Sequence, residues 1–99
     1  MTLIVFVFII ANIDMKNKKL LIKPTITTRG FVQVNKNEEL LKLIEVKCSI
    51  LIMEKLKEPN VTFTDIKGTL ALQIAAYINE LTGRHPIILP IILDIKKRS

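Results

Sequence analysis

The sequence predicts an α+β domain: a small three-stranded sheet with two helices packed on one face, in the order β-β-α-α-β. Three observations predict it. The chain opens on a β-branched and aromatic run, Ile4-Val5-Phe6-Val7-Phe8-Ile9-Ile10, whose composition suits a buried strand. Its middle carries apolar residues at helical spacing. After Gly83 and Pro86 it closes on a second apolar run, Ile87–Ile95.

Taken in order, the first strand is expected over Leu3–Ile13, stopping at Asp14, with Met15-Lys16-Asn17-Lys18-Lys19 as a polar turn. An extended stretch follows at Leu20–Lys23, interrupted by Pro24 and continued by Ile26. Gly30 suggests a bulge or positive-φ corner. Phe31-Val32-Gln33-Val34 then reads as a short strand or the end of the same one. Asn35 with Glu38, or Asn37, would cap the first helix, with Glu38 and Glu39 at its positive dipole end. One stripe of that helix holds Leu40, Leu41, Ile44, Cys48, Leu51 and Ile52. A second stripe, Leu43, Val46, Ile50 and Met53, falls nearly opposite at about 100° per residue, so the helix should be covered on two sides.

Pro59-Asn60 breaks the chain between helices. Thr64 is the expected cap of helix two, with Asp65 in its first turn. Ile66, Leu70, Ile74, Tyr77 and Leu81 form the expected core stripe, and Ala71, Ala75 and Ala76 allow close helix packing. Gly83 stands where a C′ glycine belongs, and Pro86 prevents a return to helix. The final strand, Ile87–Ile95, is apolar on both alternating faces, and Pro90 inside it argues for an edge position or a bulge.

Composition narrows the function. Ninety-nine residues form one domain, 1–99, with no linker, repeat or low-complexity tract. Hydrophobic content of 49% and mean hydropathy of +0.39 are high for this length. The surplus suggests a partner or the remainder of a longer protein. Leu3–Ala11 is too short for a membrane helix, which needs about 20 residues, and Lys16, Lys18 and Lys19 follow it rather than precede it as in a signal peptide. No membrane association is expected. A single cysteine, Cys48, excludes an internal disulfide and a thiolate-pair metal site, and a reducing, cytoplasmic setting fits.

The net charge of +6 and pI of 9.7 suit an anionic partner such as RNA, although a Lys- and Ile-rich background composition explains them equally. Aromatics at 5% without Trp offer no stacking platform for bases. Catalysis finds no footing. The one histidine, His85, sits at a helix exit, and the three glycines are isolated. The acidic pairs Glu38-Glu39 and Glu54/Glu58 are explained by helix dipoles and i,i+4 pairs.

Three segments resemble ribonuclease J. Pro24-Thr25-Ile26-Thr27-Thr28-Arg29-Gly30-Phe31-Val32-Gln33-Val34 looks like its "P-x-I-x-x-R-G-F-V-x-V" signature. Thr82-Gly83-Arg84-His85-Pro86-Ile87-Ile88-Leu89-Pro90-Ile91-Ile92-Leu93-Asp94-Ile95 is similar to its closing "T-x-R-x-P-x-I-L-P-x-I-x-x-[IV]". The first strand, ending Ala11-Asn12-Ile13-Asp14, matches the hydrophobic strand ahead of the signature. Gln33 departs from a common aromatic, and Ala71-Leu72 from a frequent Arg-Asp pair.

The resemblance is to the small C-terminal domain that follows a two-zinc metallo-β-lactamase/β-CASP body cleaving RNA endonucleolytically and 5′–3′. It implies a non-catalytic domain that supports oligomerisation. The His-x-His-x-Asp-His zinc motif is absent, so no catalytic residue or metal ligand is carried over. No cofactor is expected in this chain; zinc is expected in the parent catalytic domain. The implied partners are a second copy or the catalytic body. Expected contact residues are Leu43, Val46, Ile50 and Met53 on helix one, with Ile88 and Ile92 on the last strand. Arg29 and Arg84 are the cations matching the motifs. With Lys16, Lys18, Lys19, Lys96, Lys97 and Arg98 they are the candidates for RNA contact, against a bland role as junction, turn and tail charges.

Overall fold

A computed structural model describes residues 4–30 and 34–95, with side chains described from residue 38 onward in the first helix. The elements are β1 (Phe6–Asp14), β2 (Lys19–Leu20), β3 (Thr25–Arg29), α1 (Val34–Leu56), α2 (Phe63–Thr82) and β4 (Ile87–Asp94). The α+β class and the predicted element order hold.

The four strand segments fill three positions. β1 is central, antiparallel to β2 and β3 and parallel to β4. β4 occupies one edge of β1 along its length, from Phe6↔Ile87 to Ile13↔Asp94. The backbone bonds Ile87 N–H to Val5 O (2.8 Å) and Ile95 N–H to Ile13 O (2.9 Å) show that odd-numbered residues of β1 direct their backbone groups to β4. The Asn12 carbonyl, of opposite parity, accepts from Leu21 N–H at 3.0 Å. β2 therefore shares the other edge with β3. The two are one interrupted strand whose register slips by two residues, from Ile13↔Leu20 to Ile10↔Thr25, across a bulge holding the buried Pro24.

The same alternation accounts for Pro90. On β4 the odd residues bond to β1, so the nitrogen of residue 90 faces the free edge, where a missing N–H breaks no ladder bond.

Local chemistry shapes the connections. At the hairpin, the Asp14 carboxylate accepts from Asn17 N–H (3.2 Å) and Asn17 Nδ2 (2.7 Å), while Lys18 takes the left-handed conformation at φ 56°. These bonds hold the Asp14 carboxyl below its ordinary pKa, the Asn17 side-chain bond first. Gly30, at φ 100°, lies against the start of β1, and a Cβ there would sit 2.4 Å from the Ile4 carbonyl oxygen. The glycine of the Arg-Gly-Phe motif is thus required twice, by conformation and by space.

Several expectations need correction. α1 begins at Val34, so Val34 is helical and Asn35 and Asn37 lie inside the first turn instead of preceding it. The strand expected at Phe31–Gln33, like Leu3 at the start of the first strand, lies outside the described residues. Helix two is capped by Thr62, not Thr64. Thr62 Oγ1 accepts from Asp65 N–H (3.1 Å), and Asp65 Oδ2 accepts from Thr62 N–H (3.0 Å), a closed capping box. Those bonds, with the backbone one largest, lower the Asp65 pKa. At the other end Gly83 is left-handed at φ 74° and donates its N–H to Asn79 O at 2.7 Å, as its position predicts.

The core lies between one sheet face and the two helices. Val5, Val7, Ile9, Ala11 and Ile13 of β1 pack against Ile44, Cys48, Ile52 and Leu56 of α1 and Ile66, Leu70, Ile74 and Ile78 of α2. α1 lies toward β2 and β3, and α2 toward β4. Each fully buried Ile or Leu contributes about 1.5–3 kcal/mol by leaving water, so this layer dominates stability. The core stripe of α2 ends at Ile78. Tyr77 is half-buried and Leu81 is exposed, because rows four residues apart drift about 40° per step and carry the line from Ile74 to Ile78.

Candidate interaction surfaces

Among the described residues, two apolar surfaces remain uncovered. The first is the sheet face away from the helices. Registered pairs share a face, so Phe6 stands beside Ile87, Phe8 beside Leu89, Ile10 beside Ile91 and Asn12 beside Leu93. Ile87 (45% exposed), Leu89 (38%), Ile91 (43%) and Leu93 (45%) remain open to solvent, while the β1 residues are half-buried by their flanking strands. On the β3 side, Thr25, Thr27 and Arg29 pair with Ile10, Phe8 and Phe6 and form a polar rim. An apolar patch two strands wide, rimmed on one side by polar groups, is the form of an interaction site.

Ile88 and Ile92, expected at an interface, do not belong to this surface. Both are packed against the helix-covered core. The alternation of a strand puts them on the face opposite Ile87, Leu89, Ile91 and Leu93, and the register with the buried odd residues of β1 decides which face that is. The residues the sequence reading missed had one available signal. Asn12, the one polar residue within Phe6–Ile13, has the parity of the open face.

The second surface is the outer stripe of α1. Leu43, Val46, Ile50 and Met53 are exposed at 46%, 56%, 43% and 48%. They lie opposite the buried Cys48. Among the described residues nothing covers this side of the helix, so the second cover expected for it is left to an interface.

Among the described residues, the candidate cations fall at opposite ends of β1. Lys16, Lys18 and Lys19 are exposed at the β1–β2 turn, beside Asp14. Arg29 is exposed at the other end of β1, opposite Phe6, and its guanidinium donates to Thr28 O at 3.1 Å. Eight strand steps of about 3.3 Å separate the two groups by roughly 26 Å. Arg84 lies at the Arg29 end, two residues before Pro86 and β4. Its backbone is held there, with its N–H donating to Thr82 Oγ1 (3.1 Å) and its carbonyl accepting from Asn79 Nδ2 (3.1 Å). Asn79 Nδ2 also approaches His85 Nδ1 at 3.3 Å, which makes the helix exit a small polar clasp. Lys96, Lys97 and Arg98 lie outside the described residues.

The described residues do not suit a metal. They contain no group of three or more His, Cys, Asp or Glu that could hold an ion. The Cys48 thiol is fully buried, and burial pushes its pKa up to about 12, with Glu45 adding a smaller charge effect, so it stays protonated. Likewise, no described helix is long and apolar enough to cross a membrane.

Comparison with known proteins gives this geometry a family. The model of the ribonuclease J C-terminal domain matches residues 4–95. Ribonuclease J 2 of Staphylococcus epidermidis is 37% identical over 86 residues, covering 87% of this chain and 15% of that protein. Ribonuclease J 2 of Staphylococcus aureus is 34% identical over the same coverage. The chain thus spans about 15% of the length of these curated relatives. With the family match running from the first described residue to the last, the chain belongs to the ribonuclease J C-terminal domain family.

Proposed function

We propose that this chain is a non-catalytic scaffold domain of a ribonuclease J-type, zinc-dependent endo- and 5′–3′ exoribonuclease. It uses its uncovered apolar surfaces to associate with a second copy or with the catalytic body. The observation that carries this reading is the open sheet face, where Phe8, Ile10, Leu89 and Ile91 form neighbouring pairs over a strand layer whose other side is fully packed. A strand layer apolar on both sides needs two covers, and the chain's helices supply one.

The zinc chemistry belongs to residues outside this sequence, and the purified chain is expected to cleave no RNA with or without added zinc. The scaffold reading is tested by sedimentation of the chain at rising concentration and by its capture on a ribonuclease J catalytic body. Association with either is expected, and Leu89→Lys is expected to weaken capture on the catalytic body. Association with neither overturns the reading. A free-standing RNA-binding module is the competing account. It requires binding to single-stranded RNA that falls steeply with salt.

A further inference from the structure

The outer face of α1 has a register of its own. Glu39, Leu43, Val46, Ile50, Met53 and Lys57 are all exposed, and they follow one another at spacings of four, three, four, three and four. That is the seam repeat of a two-helix coiled coil. Five of the six lie within α1, and Lys57 is held onto its end by its N–H bond to Glu54 O at 3.2 Å. The pattern is symmetric about Cys48, whose buried side chain marks the opposite side of the helix. The four apolar positions are central, and the two ends carry opposite charges.

We propose that α1 pairs with α1 of a second copy, antiparallel, about a two-fold axis passing at the level of Cys48. This rests on the reading above of a self-associating domain and names its partner surface. In that register Leu43 meets Met53 of the second copy and Val46 meets Ile50. Glu39 meets Lys57 at each end of the seam. A C2 interface must be self-complementary, and this arrangement is. A parallel pairing would set Glu39 against Glu39 and Lys57 against Lys57, so charge selects the antiparallel one. A solvent-exposed face of one helix is far smaller than a standard interface of about 20–30 residues a side. The isolated dimer is therefore weak and concentration-dependent.

The test is charge reversal, read by analytical ultracentrifugation of the full 99-residue chain at rising concentration. Both end residues are exposed, so the variants keep the fold, checked by circular dichroism. Glu39→Lys and Lys57→Glu, each alone, set two like-charge contacts in the dimer and weaken it roughly tenfold at low salt. The double variant restores it, and mixing the two single variants yields a heterodimer tighter than either homodimer. A chain monomeric at every concentration, or a dimer indifferent to both single variants, overturns the pairing. So does a double variant no better than the singles. Capture on the catalytic body, weakened by Leu89→Lys but untouched by the charge variants, would show the scaffold reading standing without the pairing. Loss of capture with the pairing intact would show the reverse.

Discussion

Along β1, Val7, Ile9, Ala11 and Ile13 lie under the helices and are fully buried, while Phe6, Phe8 and Ile10 face the uncovered side and stay half-buried. The two sets come from one strand and are similarly apolar. Apart from Asn12, which shares the parity of Phe6, Phe8 and Ile10, nothing in the strand's chemistry assigns one set to the core and the other to a surface. The two sides of α1 repeat the contrast: Ile44, Cys48 and Ile52 are fully buried, and Val46, Ile50 and Met53 are exposed. In both elements one apolar face is consumed by the chain's own fold and the other is left for contact.

Substitution separates these faces. Ile9→Ala, at the centre of the covered face with no exposure, is expected to cost about 2–5 kcal/mol in urea unfolding, because the surrounding side chains cannot close the cavity. A loss below about 1 kcal/mol would contradict the packing of β1 under both helices.

Gly30→Ala should come next, at about 1–3 kcal/mol, since it combines a disfavoured φ of 100° with a Cβ 2.4 Å from the Ile4 carbonyl oxygen. Its effect sharpens the comparison, because Gly30 joins the β3 edge to β1 without contributing to either apolar face.

Thr62→Ala removes one half of the α2 capping box and is expected to lower stability by about 1 kcal/mol. The partner half is pH-sensitive. The Asp65 and Asp14 carboxyls have folded-state pKa values below the unfolded value near 3.8. Their stabilisation is complete above that value and is lost as pH falls through the lower folded values. Asp65→Asn should therefore flatten the decline in thermal midpoint below about pH 4; an unchanged acid profile would remove Asp65 from the account.

The smallest expected effect is Leu89→Ser on the open face. In the dilute chain it should change stability by within about 0.5 kcal/mol, an order below Ile9→Ala. A cost comparable with that of the core substitution would mean that the open face is already covered in the isolated chain.

The element order and the Gly83 stop were legible as local signals, and Pro90 limited its strand to an edge or a bulge. Each rests on a backbone requirement that one or two residues meet; which strands pair was not legible. The capping box was also legible, at Thr62 with Asp65, but the adjacent Thr64 has the same cap chemistry and drew the assignment. Strand parity was not legible on β4. Ile87, Ile88, Leu89, Ile91, Ile92 and Leu93 are interchangeable in composition, so the reading that set Ile88 and Ile92 at an interface had no local reason to choose otherwise.

What the sequence determined by itself is the class, the order of elements, the turns and the surplus of apolar surface. Periodicity, cap chemistry and glycine conformation act within a few residues, and they survive without tertiary context. Only the tertiary structure decided which apolar face is core and which is contact surface. That choice is made by the register of β4 on β1, from Phe6↔Ile87 to Ile13↔Asp94. A shift of one residue would exchange the two faces of the strand, and strand composition alone does not forbid it.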